Sequence, residues 1–267
     1  MAGYYLGVDI GSLTTKVVLV NSGGEMQDRA TARSGYSGRE VAARLTSELL
    51  EKAGLKPENV AATVATGYGR VTYPADREVS EITCQARGIA HLFPGARTVI
   101  DIGGQDSKVI KLLPGGKVAD FAMNDKCAAG TGRFLEVMAI ALEVRLEDAG
   151  NLALGASNRC SISSFCTVFA ESEVVSHVAS GASKEDILAG VCDSVAARVV
   201  SMTSRTGLDP EVVFTGGVAR NKGVVEALSR QLGYRLQIPG EPVITAALGA
   251  ALFAVNLNNS RTHMSAG

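Results

Sequence analysis

The chain has few of the features that identify nucleic-acid-binding proteins. Its 267 residues include no tryptophan, and aromatic residues make up only 5%, so a surface on which bases stack is not expected. Basic and acidic residues number 26 and 27, which gives a formal net charge of −1. The composition provides no excess of positive charge for a polyanion. We therefore predict no nucleic-acid partner.

Long apolar runs are also missing. No stretch of about 18 consecutive apolar residues occurs, so we predict no membrane span. Residues 1–8 carry no basic segment and read as the start of a strand rather than as a signal peptide. The five cysteines are an odd number in a chain too large to need disulfides. This usage favours a reducing, cytoplasmic location.

Neither the P-loop pattern nor Gly-x-Gly-x-x-Gly is present, so the nucleotide-binding folds built on them are poor candidates. The chain instead contains an internal repeat. The repeat consists of an apolar run, Asp-Ile-Gly, a lysine seven residues after the aspartate, and a second apolar run. One copy contains Asp9 and Lys16, and the other contains Asp101 and Lys108. Each copy predicts a β-hairpin with an acidic tip.

A second repeated feature is a buried strand that ends in a glycine turn. Residues 60–65 lead into Thr66-Gly67, and residues 212–214 lead into Thr215-Gly216-Gly217. The order of these features predicts two homologous α/β halves, residues 1–94 and 95–267. The interval from hairpin to glycine turn is twice as long in the second half, which predicts an insertion at about 118–206. Helices are predicted over 37–53 and 131–142, and a third is expected to begin after Ser183, a good N-cap.

Turns of this composition suit a triphosphate, because glycine lets the backbone approach phosphate oxygens while hydroxyls and lysine supply donors and charge. A single such turn would be an ordinary hairpin; three in this order favour nucleotide binding. We predict that Asp9 holds Mg²⁺ through water and that Asp101 or Gln105 orients the attacking water. The residues predicted to bind the nucleotide are Gly11, Ser12, Leu13, Thr14, Thr15, Lys16, Gly103, Gly104, Gln105, Thr215, Gly216, Gly217, Val218 and Asn221.

The cysteines fall into two groups. Cys127 and Cys166 each lie in a loop of small polar residues ahead of a predicted helix, where the positive helix end stabilises a thiolate or an anionic cluster. Cys84 and Cys192 lie on apolar helical patterns and are predicted to pack, whereas Cys160 begins an alternating strand and could face either way. Two ligands per chain would complete an iron–sulfur site only in a twofold dimer. Spacing alone leaves ordinary loop cysteines as the alternative.

The acidic hairpins and the glycine turn resemble those of the actin, sugar-kinase and heat-shock-chaperone superfamily, over essentially the whole chain. In that superfamily two ribonuclease-H-like lobes, each a mixed sheet flanked by helices, close on a nucleotide in the cleft between them. The resemblance therefore implies an α/β fold of two actin-like ATPase lobes, with ATP or ADP and Mg²⁺ as ligands.

A narrower resemblance comes from the cysteine segments. Residues 124–134 (NDKCAAGTGRF), residues 163–173 (SSFCTVFAESE) and residues 65–70 (ATGYGR) are similar to the activators of 2-hydroxyacyl-CoA dehydratases and to the ATPase subunits of benzoyl-CoA reductases. In that family a homodimer binds one [4Fe-4S] cluster through two cysteines of each chain, which implies Cys127 and Cys166 as its ligands. The resemblance also implies an ATPase that passes single low-potential electrons from ferredoxin or flavodoxin to an Fe–S partner enzyme.

Two other functions are compatible with the fold. A small-molecule kinase acting on a sugar or a carboxylate would use the same phosphate hairpins, but it would have no use for Cys127 or Cys166. A non-enzymatic actin-like or chaperone-like module would be much larger or would carry a substrate domain, which this chain lacks. The cysteine segments therefore favour the reductase.

Overall fold

The computed structural model describes residues 3–163 and 165–265, with side chains described as far as Leu257. These residues form two compact units. The first unit contains the chain up to Gly95, the turn Pro114–Val118 and the chain from Val243 onward. The second unit contains Ala96–Leu113 and Ala119–Pro242. Each unit contains one copy of the acidic hairpin repeat.

The first unit is built on a five-stranded mixed sheet. Its strands are β1 (Tyr4–Ile10), β2 (Thr14–Asn21), β3 (Met26–Arg33), β4 (Val60–Thr66) and β5 (Arg77–Glu78), in the order β3-β2-β1-β4-β5. β1 is antiparallel to β2 and parallel to β4. Almost all of β1 is buried, as expected for a central strand that is covered on both faces.

Two helices, α1 (Gly38–Lys52) and α8 (Thr245–Ser265), pack on this sheet, and α2 (Glu81–Leu92) packs on α8. Leucines of α1 pack with one set of sheet residues, and the alanine-rich α8 packs with another set. Glycines allow α8 to come very close: a Cβ on Gly7 of β1 would lie 1.9 Å from the carbonyl oxygen of Ala247, and a Cβ on Gly88 of α2 would lie 2.0 Å from that of Thr245. α8 therefore belongs to the core of the first unit.

The second unit repeats this plan. Its sheet contains β6 (Thr98–Ile102), β7 (Ser107–Leu112), β8 (Val118–Asn124) and β9 (Val212–Thr215) in the order β8-β7-β6-β9. β6 is antiparallel to β7 and parallel to β9, so the order matches β3-β2-β1-β4 strand for strand. The helices are α3 (Gly132–Ala141), α4 (Leu146–Ala153), α5 (Thr167–Ala179), α6 (Lys184–Thr206) and α7 (Lys222–Leu232).

The structure changes two of the boundaries expected from the sequence. The second half was expected to run from residue 95 to residue 267, but the chain from Val243 onward packs with the first unit. The insertion expected at about 118–206 is shorter, because elements at both of its ends have counterparts in the first unit. β8 occupies the place that β3 has in the first sheet, and α6 precedes β9 as α1 precedes β4. The added segment is therefore the part between β8 and α6, which contains α3, α4 and α5.

α6 is the core helix of the second unit. By length and composition it is the one helix in the described part of the chain that could cross a membrane, and 67% of its most apolar window is buried inside the unit. Such burial is typical of the central helix of a folded domain. Its apolar residues pack with those of α7 and the sheet in one continuous core.

Candidate functional site

The first acidic hairpin joins β1 to β2. Asp9 lies opposite Lys16, whose Nζ donates to Asp9 Oδ2 at 2.9 Å, and the turn is closed by the amide of Gly11, which donates to the carbonyl of Thr14 at 3.1 Å. Asp9 is only 3% exposed. Its second oxygen, Oδ1, is buried and has no hydrogen-bond partner among the described residues. This unsatisfied carboxylate oxygen is suited to a water or a hard cation.

The second acidic hairpin joins β6 to β7 and has the same register. Asp101 lies opposite Lys108, which is 2% exposed. Lys108 Nζ lies 2.9 Å from Asp106 Oδ1 and 3.6 Å from Asp101 Oδ2, so two carboxylates neutralise one buried cation. Sequence reasoning missed the partnership of Asp106 with Lys108, although the fixed lysine spacing was a signal for it. Gln105 lies exposed at the tip.

A glycine turn lies on each hairpin in the same way. Gly67 has a φ of +83°, and a Cβ there would lie 2.5 Å from Asp9 Oδ1. Gly216 has a φ of +87°, and a Cβ there would lie 2.6 Å from Asp101 Oδ1 and 2.3 Å from the carbonyl oxygen of Ile102. Only glycine combines this conformation with so close an approach. Gly67 was not among the residues predicted to bind nucleotide, although its repeat in the sequence was visible.

Several of the predicted binding residues hold the turns in place. The Thr15 hydroxyl is buried and lies 2.9 Å from that of Ser34, and the buried Thr215 hydroxyl donates to the carbonyl of Pro242 at 2.6 Å. Asn221 caps α7, because its Oδ1 accepts the amide of Val224 at 3.0 Å.

The other predicted residues are placed closer to solvent, with one exception. Ser12 and Gly217 are exposed, as is Gln105, whereas Val218 is buried. Partly exposed residues complete the set: Gly11, Leu13, Thr14, Gly103, Gly104 and Gly216. Each hairpin tip therefore presents mainly backbone and small side chains.

The structure brings the two candidate ligand loops together. Cys127 and Cys166 are both partly exposed, and the Cys127 Sγ lies 3.7 Å from the carbonyl oxygen of Phe165, the residue before Cys166. Cys166 is the N-cap residue of α5. Ser164 of the same segment lies outside the described residues. Among the residues that are described, no group of three or more histidines, cysteines or acids is placed to hold a metal.

Polar groups around the thiols suit an anionic ligand. Thr167 Oγ1, next to Cys166, is buried and has no hydrogen-bond partner in the described part of the chain. Asn124 holds the Cys127 loop, because its Nδ2 donates to the carbonyls of Cys127 at 2.9 Å and Ala129 at 3.0 Å. Sequence reasoning missed this role of Asn124, which lies within the similar segment. The hydroxyl of Thr167 is thus a hydrogen-bond donor left available beside Cys166, which fits the anionic sulfur atoms of an iron–sulfur cluster.

Direct hydrogen bonds connect the Cys127 segment to the second hairpin. The amide of Gly132, the first residue of α3, donates to the carbonyl of Gly103 at 2.9 Å, and the amide of Arg133 donates to that of Gly104 at 2.8 Å. The first turn of a helix has amides without partners in the helix, and here the predicted phosphate turn accepts two of them. This connection was not predicted.

The remaining cysteines have other surroundings. Cys84 and Cys192 are buried, as predicted, and burial raises the pKa of each thiol to about 12. Cys160 lies in an irregular segment and not at the start of a strand, and burial of the group raises its pKa. These three thiols have no contact that suggests metal binding.

The repeated sheets and their acidic hairpins define an actin-like ATPase fold. The structure of a ROK family glucokinase from Streptomyces griseus resembles the chain at the level of fold alone, with 15% sequence identity and a TM-score of 0.58 over 95% of this chain and 100% of that chain. The fold class predicted from the sequence is therefore confirmed.

The chain belongs to the BadF/BadG/BcrA/BcrD ATPase family, whose sequence model matches residues 6–254. It is 48% identical to the 2-hydroxyisocaproyl-CoA dehydratase activator of Clostridioides difficile, over 94% of each chain. It is 47% identical to the (R)-2-hydroxyglutaryl-CoA dehydratase activating ATPase of Acidaminococcus fermentans, over 95% of this chain and 98% of that one. The C. difficile activator with bound ADPNP has a similar structure, with a TM-score of 0.92 and 45% identity over 98% and 97% of the two chains.

Proposed function

We propose that the chain is an ATP-dependent reductive activator. Two copies would share one [4Fe-4S] cluster and couple ATP hydrolysis to the transfer of single low-potential electrons to an Fe–S partner. The partner would be an enzyme such as a 2-hydroxyacyl-CoA dehydratase or a benzoyl-CoA reductase, because relatives are named as activators of dehydratases. The observation that carries the proposal is the short connection from the predicted phosphate turn through α3 to the thiol of Cys127, which lies beside the Cys166 loop.

The two acidic hairpins would bind ATP and ADP. Gly11 to Lys16 would contact the phosphates in the first unit, and Gly103, Gly104 and Gln105 would do so in the second. The unsatisfied Oδ1 of Asp9 would hold the water shell of Mg²⁺. Asp101 or the exposed Gln105 would orient the attacking water. The turn from Thr215 to Asn221 would lie against the nucleoside, with Asn221 acting through its cap on α7.

Cys127 and Cys166 would hold the cluster as thiolates. The cluster supplies a one-electron centre, and four thiolates are its usual ligand set, so two chains with two thiols each would complete it. Phe165, Val168 and Phe169 beside Cys166 are 81%, 66% and 67% exposed. Exposed apolar groups of this size mark association surfaces, which supports a contact with a second copy or with the partner enzyme at this end of α5.

Coupling would run through the hydrogen bonds that join α3 to the second hairpin. A ligand shifts a structure only when it binds one arrangement more tightly than another. ATP and ADP differ by the γ-phosphate, which would bind at the turn carrying Gly103 and Gly104. A change in that turn would reach Cys127 through the first amides of α3. Each cycle would convert ATP and water to ADP and phosphate and pass on one electron received from ferredoxin or flavodoxin in the reducing cytoplasm.

The substitution Cys127→Ser tests the ligand assignment. Protein purified without oxygen should lose most of its iron, sulfide and electron transfer, while it still binds ATP, because the hairpins are unaltered. Cys160→Ser is the matched control, since it removes a partly exposed thiol from the same unit and should retain full iron. If Cys127→Ser keeps its full iron content, the ligand assignment is wrong. If the wild-type protein purified without oxygen contains no iron and phosphorylates sugars, the protein is a kinase of the same fold.

A further inference from the structure

The first unit contains a cavity that the proposed function does not use. Its volume is about 380 Å³, and its lining comes from Thr83 and Arg87 of α2, the turn 115–118, and Phe253 and Asn256 of α8. All of these residues belong to the first unit, and none is a predicted nucleotide or cluster ligand. Small-molecule pockets of proteins start at about 300 Å³, so the cavity can hold a ligand larger than a single ion.

The charge of the lining is of one sign. Arg87 and Lys117 are cations, and the lining includes no acidic residue. The Arg87 Nε is buried and has no hydrogen-bond partner among the described residues. Neither side chain forms an ion pair with a described part of the protein. A guanidinium that is partly removed from water and lacks an acceptor is stabilised by an anion that supplies one.

Backbone geometry holds the two cations at one cavity. Gly115 and Gly116 have φ values of +82° and +78°, and a Cβ on Gly116 would lie 2.2 Å from the Cβ of Ala90. The turn therefore lies directly on α2, which is possible only because Gly116 has no side chain. This contact places Lys117 at the same cavity as Arg87.

The remaining lining groups are neutral and of two kinds. Thr83 lies four residues before Arg87 and therefore on the same face of α2; its hydroxyl lies 2.7 Å from that of Ser80, and Asn256 is the other polar residue of the lining. Phe253 and Val118 are apolar. A matching ligand carries a compact negative charge at one end and an apolar part at the other.

We propose that this cavity binds an organic phosphate, with the phosphoryl group between Arg87 and Lys117 and the apolar part against Phe253 and Val118. The planar guanidinium matches the oxygens of a phosphoryl group in a bidentate way, and lysine adds a point charge. The cavity is thus a second anion site, separate from the hairpins that would bind the phosphates of ATP.

The probe is phenyl phosphate, titrated calorimetrically into the full chain with saturating ADP, so that the predicted nucleotide site is already filled. We expect one saturable site per chain, no binding of phenol, and weaker binding of inorganic phosphate. Arg87→Gln and Lys117→Gln should each weaken phenyl phosphate binding about tenfold, the usual effect of removing one charge-assisted contact. Arg39→Gln, which removes an exposed cation of α1, should leave binding unchanged.

Lys117 is exposed, so Lys117→Gln should fold and remain informative even if Arg87→Gln does not. The proposal is overturned if phenyl phosphate does not bind saturably, if Lys117→Gln binds it as tightly as the wild type does, or if Arg39→Gln weakens it equally. The titration needs neither iron nor ATP hydrolysis. A negative result would therefore leave the proposed electron-transfer function intact.

Discussion

The five thiols differ at the scale of single residues by how much water reaches them. Burial raises the pKa of Cys84 and Cys192 to about 12, so both remain protonated and unreactive at neutral pH. Cys127 and Cys166 are partly exposed and lie at the start of helix-bearing segments. The same residue type therefore serves as a small apolar side chain at two positions and remains accessible for chemistry at two others.

Alkylation of the cluster-free protein can measure this difference. With iodoacetamide at about pH 8, we expect Cys127 and Cys166 to react and Cys84 and Cys192 to stay unmodified, because the thiolate is the reactive form. Peptide mass spectrometry gives the extent at each position, and the same reaction in guanidinium chloride should label all of them. Labelling of Cys84 in the folded protein at the rate of Cys127 would contradict the burial found here.

Lys108 is a second case in which a single residue depends on its partners. Replacing it by Met would leave Asp101 and Asp106 buried without a cation, and breaking such a buried pair costs about 3–5 kcal/mol. Lys111→Met, in the same strand, removes an ion pair whose partners are 31% and 50% exposed, which should cost at most about 1 kcal/mol. Urea unfolding of the two variants compares these losses. Equal losses would mean that Lys108 is not held by its carboxylates.

At the scale of elements, the two units use the same device, a glycine turn that lies on an acidic hairpin. In both, the glycine has a positive φ, and the space above the hairpin aspartate is too small for a Cβ. The turns are thus fixed by a contact between two loops of one unit. This contact keeps the end of each parallel strand next to the aspartate that we propose acts on ATP.

Gly216→Ala should disturb this contact. A positive φ with extended ψ costs a residue other than glycine about 1–3 kcal/mol, and the close approach to the hairpin backbone costs about 1–3 kcal/mol more, so thermal unfolding should occur at a clearly lower temperature. Gly217→Ala is the control one residue away, because no atom lies within 4 Å of its added Cβ. If both variants unfold at the same temperature, the turn does not need glycine at position 216.

The start of α3 is the other element with a distinct role. Its first amides donate to the carbonyls of Gly103 and Gly104, so a helix in the added segment is attached to a turn of the repeated core. Without these two carbonyls, the first amides of α3 would have to donate to water. The attachment therefore gives the Cys127 loop a fixed position relative to the second hairpin.

At the scale of the whole molecule, the proposal requires two chains. Oxygen-free protein should have about twice the chain mass of 27.7 kDa and about four irons per pair of chains. Removal of iron by a chelator should lower the mass in solution to that of one chain, because the shared thiolates hold the pair together. Light scattering after size exclusion measures this change. A dimer that persists without iron at low micromolar concentration would contradict it.

The sequence by itself determined the features that depend on neighbouring residues. Apolar runs on both sides of Asp-Ile-Gly predicted both hairpins, because strand pairing across a tight turn is a local property. The cap at Ser183 gave the start of α6, since its hydroxyl accepts the amide of Asp186 three residues on. The cysteine segments were likewise readable, because long and unusual strings are specific.

Only the tertiary structure decided which distant segments meet. It assigned α8 to the first unit, where glycines of β1 and α2 admit its backbone, and it joined α3 to the hairpin turn. It also placed Lys117 and Arg87 at one cavity, although they are 30 positions apart along the chain. Periodicity and turn chemistry carry no record of such contacts, because these contacts depend on how whole elements pack after they form.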